Sequence, residues 1–333
     1  MRTSRLALLT TTTMTALVVV TACIGDGSRP TIGVPDHPVP AGLPLVLGLD
    51  RQDHLIIEGS RYGRAELSLS GIPGGPSLLA PDPAGGWIVT FTPDPHASYG
   101  SAPQRVAWVS RSGHVTPFGP RIDKADAISG LAVRPDGREI AIALFAESSG
   151  APPSRLQILP TPGHQGTTRS WRIGPIDNEA ISLSWSPDGK TLSYIAGGQT
   201  GAGIYGAPSF LDVSQPGTAA PSNSPWQSQR AAGCDPAAAA WIGTHGHFAV
   251  LDECRPGAAE RFRLVDQRTG RSLGSPITLG PVGCFGDIHS AHGVVLVTWC
   301  DKIYEITGHT SRPLPGEFVD AAPPGGPAAG SGS

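Results

Sequence analysis

Short apolar runs of strand length recur along this chain, divided by polar turns carrying Gly, Pro and Asp. Leu131-Ala132-Val133, residues 140–145, Phe248-Ala249-Val250-Leu251 and Val294-Val295-Leu296-Val297 are the clearest of them. Continuous apolar runs of this length suit strands buried on both faces. The best-formed unit spans residues 181–195, where two β-type runs flank Ser186-Pro187-Asp188-Gly189, and a copy lies upstream at residues 128–142. Pro187 presets φ for a turn, Asp188 can hydrogen-bond nearby backbone, and Gly189 reaches positive φ at little cost. Each copy therefore reads as one β-hairpin.

Aligned on that turn, the glycines fall at Gly85, Gly137, Gly189, Gly246 and Gly293, with spacings of 52, 52, 57 and 47 residues. Arg134-Pro135-Asp136-Gly137 keeps the motif, Asp82-Pro83-Ala84-Gly85 keeps part of it, and the last two copies keep only glycine and flanking strands. A second glycine turn follows at Gly113, Gly217 and Gly270, which lie 28, 28 and 24 residues after Gly85, Gly189 and Gly246. Each unit thus reads strand, turn, strand, longer loop, strand, turn, strand. Such a period indicates four-stranded antiparallel propeller blades. The fold class is all-β, a β-propeller.

Five blades cover residues 78–118, 128–173, 181–221, 237–279 and 284–314, and residues 43–69 supply most of a sixth. A strand from the other terminus would complete that blade, because an open ring leaves exposed strand edges. Seven blades is the alternative, should residues 196–221 hold extra strands. Trp87, Trp185 and Trp241 stand beside their turns and are expected to pack between blades.

Composition agrees with many tight turns. The 333 residues include 44 Gly and 34 Pro, and only 15% are charged, with a net charge of −3. No basic block is present, which argues against a nucleic-acid partner. At the N-terminus, Arg2 and Arg5 precede an apolar stretch over residues 6–20, and Val20-Thr21-Ala22-Cys23 follows. That order is the layout of a secretory signal, and the stretch is short for a membrane span. The four final residues resemble the lipobox of bacterial lipoproteins, which implies cleavage after residue 22 and lipidation of Cys23. An ordinary signal peptide with a chance cysteine is the alternative. A lipid would hold the chain to a membrane without spanning it. Residues 23–41 read as a flexible tether, residues 42–319 as the propeller, and residues 320–333 as a disordered tail.

The Trp185-Ser186-Pro187-Asp188-Gly189 pattern before an apolar strand resembles the WD40-like repeats of TolB-type propellers. The likeness covers two blades well and three weakly. No counterpart of the small domain preceding the TolB propeller is present, so secreted propeller lipoproteins are the nearer resemblance.

Four cysteines remain in a compartment that permits disulfides. Cys234 and Cys254 are centred on residue 244, and Cys284 and Cys300 on residue 292, each inside a hairpin turn. Facing residues of a hairpin have Cα atoms about 4.5–5.5 Å apart, which favours the pairs Cys234–Cys254 and Cys284–Cys300. No Cys-x-x-Cys spacing supports zinc instead.

Two clusters invite chemistry. Asp123, Asp126, Asp177 and Glu179 precede the first strands of adjacent blades, in loops expected to face the channel mouth, where carboxylates could meet a cation or a sugar hydroxyl; turn-forming acids are the plainer alternative. His245, His247, His289 and His292 lie at the turns of consecutive units, where paired imidazoles could hold a metal or simply be exposed turn residues. No Gly-x-Ser-x-Gly elbow, phosphate-cradling loop or other cofactor motif occurs, so neither a catalytic residue nor a cofactor is assigned. The sequence leaves two readings. One is a lipid-anchored extracytoplasmic module that binds an envelope protein or glycan. The other is a propeller hydrolase or lyase with an acidic site at the channel mouth.

Overall fold

The computed structural model describes residues 44–60, 63–69, 74–92, 104–118, 126–146, 154–173, 178–200, 203–204, 206, 208–214, 234–242, 247–254, 261–280, 286–291, 293–315 and 318–325. The segments read from sequence as signal and tether, including Cys23, lie outside them. So do Asp123, Asp177, His245, Cys284 and His292.

The described residues form β-strands and turns, with no helix. Blade 1 takes β1 (Val46–Leu49), β2 (Leu55–Gly59) and β3 (Gly63–Glu66). Blade 2 is β4 (Gly75–Pro81), β5 (Trp87–Thr92), β6 (Arg105–Val109) and β7 (Val115–Phe118). Blade 3 is β8 (Asp126–Val133), β9 (Glu139–Ala146), β10 (Arg155–Pro160) and β11 (Arg169–Arg172). Blade 4 holds β12 (Asn178–Trp185), β13 (Thr191–Thr200), the short β14 (Gly203–Ile204) and β15 (Pro208–Asp212), with β14 and β15 both pairing β13. Blade 5 is β16 (Cys234–Ile242), β17 (His247–Cys254), β18 (Arg261–Val265) and β19 (Ile277–Thr278). Blade 6 is β20 (Gly286–Ala291), β21 (Val294–Trp299), β22 (Lys302–Thr307) and β23 (Thr310–Leu314). Among the described residues all strand pairings are antiparallel, and the sheets number six.

The ring closes through the C-terminus. β24 (Asp320–Ala322) pairs antiparallel with β1, Leu47 facing Ala322, and becomes the innermost strand of blade 1. The expected disordered tail therefore begins too early at residue 320. Asp320-Ala321-Ala322 is too short and too weakly patterned to announce a strand, and its order comes from the unpaired edge of β1. Val319 N–H donates to Leu49 O at 2.7 Å, and the Trp87 indole N–H donates to Ala322 O at 2.9 Å.

Each interface between neighbouring blades has its own apolar core. Trp171, Trp185 and Tyr194 fill the one between blades 3 and 4. Leu55, Trp87 and Phe91 fill that between blades 1 and 2, and Val46, Leu296 and Phe318 that between blades 6 and 1. Trp241 packs on Phe210 of blade 4 and Phe248 of its own blade, with ring centroids 6.1 and 5.2 Å away. The tryptophans thus pack between blades, as their positions beside the turns suggest.

The inner strands approach so closely that Gly130 on β8 has no room for a Cβ, which would lie 2.2 Å from Leu183 Cδ1. β8 and β12 each carry a register shift near this level. The serines there donate to the next blade: Ser129 Oγ to Ala180 O at 2.8 Å, and Ser182 Oγ to Ala239 O at 3.1 Å. Ser182 holds a positive φ of 54°, uncommon for a residue with a Cβ, and this lets the same hydroxyl accept from Ala239 N–H at 2.8 Å.

Candidate functional site

The channel between the inner strands widens at its turn-bearing end into a cavity of about 430 Å³. Its wall comes from the final residues of β4, β8, β12 and β16 and from Asp287 to Ala291 of β20, with Pro135, Pro187 and Gly293 exposed at the mouth. Most of the lining is apolar, including Leu131, Val133, Leu183, Trp185 and Trp241.

Blade 6 departs from this pattern. Its inner strand runs in unbroken register from Gly286 to Ala291, and at the level of Trp185 and Trp241 it carries His289. His289 Nε2 donates to Asp320 Oδ1 at 2.8 Å, which ties blade 6 to the closing strand of blade 1. Asp287, two residues before His289 and so on the same strand face, places Oδ2 3.9 Å from that nitrogen. Its Oδ1 accepts from Ile288 N–H at 2.7 Å and stands 3.4 Å from Ser182 Oγ.

Charge follows from this packing. Burial alone would depress the His289 imidazole, but the Asp320 carboxylate and its hydrogen bond, backed by Asp287, lift it to about 9. His289 is therefore an imidazolium at neutral pH. Burial pushes the Asp287 carboxyl up; His289 opposes the shift and Asp320 adds to it.

The acids singled out from sequence stand elsewhere. Asp126 opens β8 and Glu179 is the second residue of β12, at the opposite end of the inner strands from the cavity, while Asp123 and Asp177 lie outside the described residues. Of the four histidines, His247 is exposed at the start of β17, and His245 and His292 are outside the described residues. His289 differs from the expected turn position: it sits within β20 and is buried, because the strand continues to Ala291. Among the described residues no group of three or more His, Cys, Asp or Glu is placed to hold a metal ion. Cys234 and Cys254 are joined in a disulfide across the β16–β17 hairpin, where they face each other in register. Cys300 is also disulfide-bonded, and Cys284, its expected partner, lies outside the described residues.

Sequence reasoning missed Asp287 and Asp320. The one available signal for Asp287 was its spacing of two from His289; Asp320 gave none, since only ring closure brings it there.

No protein-family model matches the chain, and no curated protein matches it. Among solved structures it is similar to hydrazine synthase of Kuenenia stuttgartiensis, at 14% identity over 85% of this chain and 79% of that one, with a TM-score of 0.49. It is similar also to virginiamycin B lyase from Staphylococcus aureus, at 12% identity over 79% of this chain and 77% of that one, TM-score 0.43. A protein from Lactobacillus plantarum matches at 13% identity over 83% of this chain and 86% of that one, TM-score 0.46. Likenesses this remote carry no argument about activity or ligand.

Proposed function

We propose that this protein is a lipid-anchored, extracytoplasmic β-propeller of TolB-like kinship that binds a protein or carbohydrate partner in the cell envelope. The observation that carries the reading is the character of the channel cavity. Its walls are mainly apolar and indole-bearing, and its titratable groups are largely committed to one another across the closure seam. His289 is held at Nε2 by Asp320, and Ser182 and Ser184 spend their hydroxyls on backbone groups of the next blade. A nucleophile needs a base free to take its proton, and an imidazolium locked to a carboxylate is poorly suited to that. A rigid ring with freely varying loops suits a platform for recognition. The signal-like N-terminus ending in Cys23 supports the anchor.

A second reading keeps one specific support: Asp287 is a carboxyl raised by burial at a cavity wall, as the acid of a hydrolase or lyase would be. Affinity capture of the full-length, lipidated protein from its own envelope separates the two. A specific envelope protein or glycan should co-purify, and Cys23→Ala should release the protein from the membrane fraction. Recovery of the protein alone, together with turnover of glycans or peptides that Asp287→Asn abolishes, would reverse the assignment.

A further inference from the structure

The carboxylates of the seam differ in exposure. Asp320 and His289 are 14% and 7% exposed and hold each other at 2.8 Å, so their charges cancel. The Asp287 side chain is 36% exposed, although protein surrounds it closely enough to raise its carboxyl. Those facts agree only if it faces the cavity, among whose lining residues it is found. Its Oδ1 is engaged, while Oδ2, 3.9 Å from His289 Nε2, lies beyond hydrogen-bond reach of that nitrogen and can take a donor. No Lys or Arg lines the cavity among the described residues, so an ionised Asp287 leaves it with one uncompensated negative charge.

The ligand chemistry follows. An anion would meet like charge, and a sugar would find Ala, Leu, Val and Pro where it needs donors and acceptors. A hard metal ion needs several oxygens, and among the described residues no set of three ligands is placed to hold one. An ammonium with an apolar body meets every requirement. One charge pairs with Asp287, the indole of Trp241 favours a cation while that of Trp185 already carries the Arg134 guanidinium 5.9 Å from its centroid, and the aliphatic wall takes the remainder. A volume of about 430 Å³ admits a small molecule of this kind.

We propose that the turn-face end of the central channel is a binding site for a small organic ammonium, whose N–H groups donate to Asp287 Oδ2 while its apolar body packs against Trp185 and Trp241. The site goes beyond the envelope-binding reading and stands or falls separately from partner capture. The groups facing Asp287 are His289 on its own strand, Asp320 on β24 and Ser182 on β12; His289 keeps its charge well above neutral pH. Acidification therefore acts on the site through Asp287.

The test is calorimetric titration of the full-length protein with phenethylammonium, its neutral isostere phenethyl alcohol and its anionic isostere phenylpropionate, with tryptophan fluorescence as a second readout. The ammonium should saturate at roughly millimolar concentration or below, as expected of so small a ligand. The alcohol should bind at least about tenfold more weakly and the carboxylate weakest of all, as loss of a charge-assisted hydrogen bond implies. Affinity for the ammonium should fall on acidification as Asp287 takes up a proton, and Asp287→Asn should reduce it to the level of the alcohol. Equal binding of ammonium and alcohol, or no saturation by the ammonium, overturns the proposal. Saturation by a capped lysyl peptide but not by free amine overturns it too, since the site would then belong to a protein partner. Should Asp287→Asn fail to fold by circular dichroism, the isostere series and pH dependence on the unmodified protein still decide.

Discussion

At the turn of blade 4, Ser186 Oγ and Lys190 N–H donate to Asp188 Oδ1 at 2.7 and 3.1 Å. These bonds hold the carboxyl below its usual range, Ser186 contributing most. Asp136 repeats the role, accepting from Arg138 N–H at 3.1 Å. Such acids look like chemistry in the sequence and serve turn geometry in the fold. The neighbouring glycines can be ranked. At Gly189, φ is +66° and an added Cβ would lie 2.8 Å from Arg134 Nε, whereas at Gly293, φ is +82° with nothing within 4 Å. Gly293→Ala should cost about 1 kcal/mol of backbone strain, and Gly189→Ala somewhat more, read from urea unfolding midpoints. His289 makes a prediction in pH. Its folded pKa, raised from 6.5 to about 9, gives stability that is fully present below about 6.5 and lost as pH rises through about 9. Unfolding midpoints should fall across that window, and His289→Gln should flatten this part of the profile. An unchanged slope in the variant would show that the seam does not titrate as described.

Hairpins are the units in which this chain is specified. In β16–β17 the partner register runs from Cys234↔Cys254 to Ile242↔His247, and the disulfide closes the end opposite the turn. The linked residues are 20 apart, so removing the bridge by Cys234→Ala with Cys254→Ala should lower stability by about 3 kcal/mol through freedom regained by the unfolded chain. Equal urea midpoints for the double variant and the parent would contradict that account. The aromatic contacts of the same hairpin reach beyond it. Phe248 is fully buried and lies 5.2 Å from the Phe210 ring of blade 4. Phe248→Ala should therefore cost about 3–5 kcal/mol, the usual range for emptying a packed aromatic site.

For the whole ring, stability rests on closure. Without β24 the inner edge of β1 has no partner, the Trp87 indole loses Ala322 O, and His289 loses Asp320. Deleting residues 316–333 should give a protein that self-associates through that edge and is digested readily by protease, measured by light scattering after gel filtration and by limited proteolysis. A protease-resistant monomer would mean that closure is dispensable. Ion pairing between Arg51 and Asp301 and the bond from Phe318 N–H to Asp301 O (3.2 Å) also join blade 1 to blade 6. They lie at the periphery of the seam and should matter less than the strand.

Sequence alone determined what is local. A Pro-Asp-Gly turn is made by bonds spanning a few residues, apolar runs commit themselves to strands, and two cysteines equidistant from a turn are brought near each other, here into direct opposition by the register shift between Pro236 and Ala238. The hairpins, the pairing of Cys234 with Cys254, and the packing of Trp87, Trp185 and Trp241 between blades were legible for that reason, whereas the blade count was legible only as six or seven. The tertiary structure decided what depends on closing the ring. β24 is a strand only because β1 offers it an edge, and Asp320 meets His289 only because that strand arrives beside blade 6. The inner strands also decide which end of the channel is lined by which residues, and so the cavity gathered Asp287 and His289 while Asp126 and Glu179 went to the other end. No spacing along the chain encodes a meeting between blades, because it is fixed by the number of units in the ring and not by any one of them.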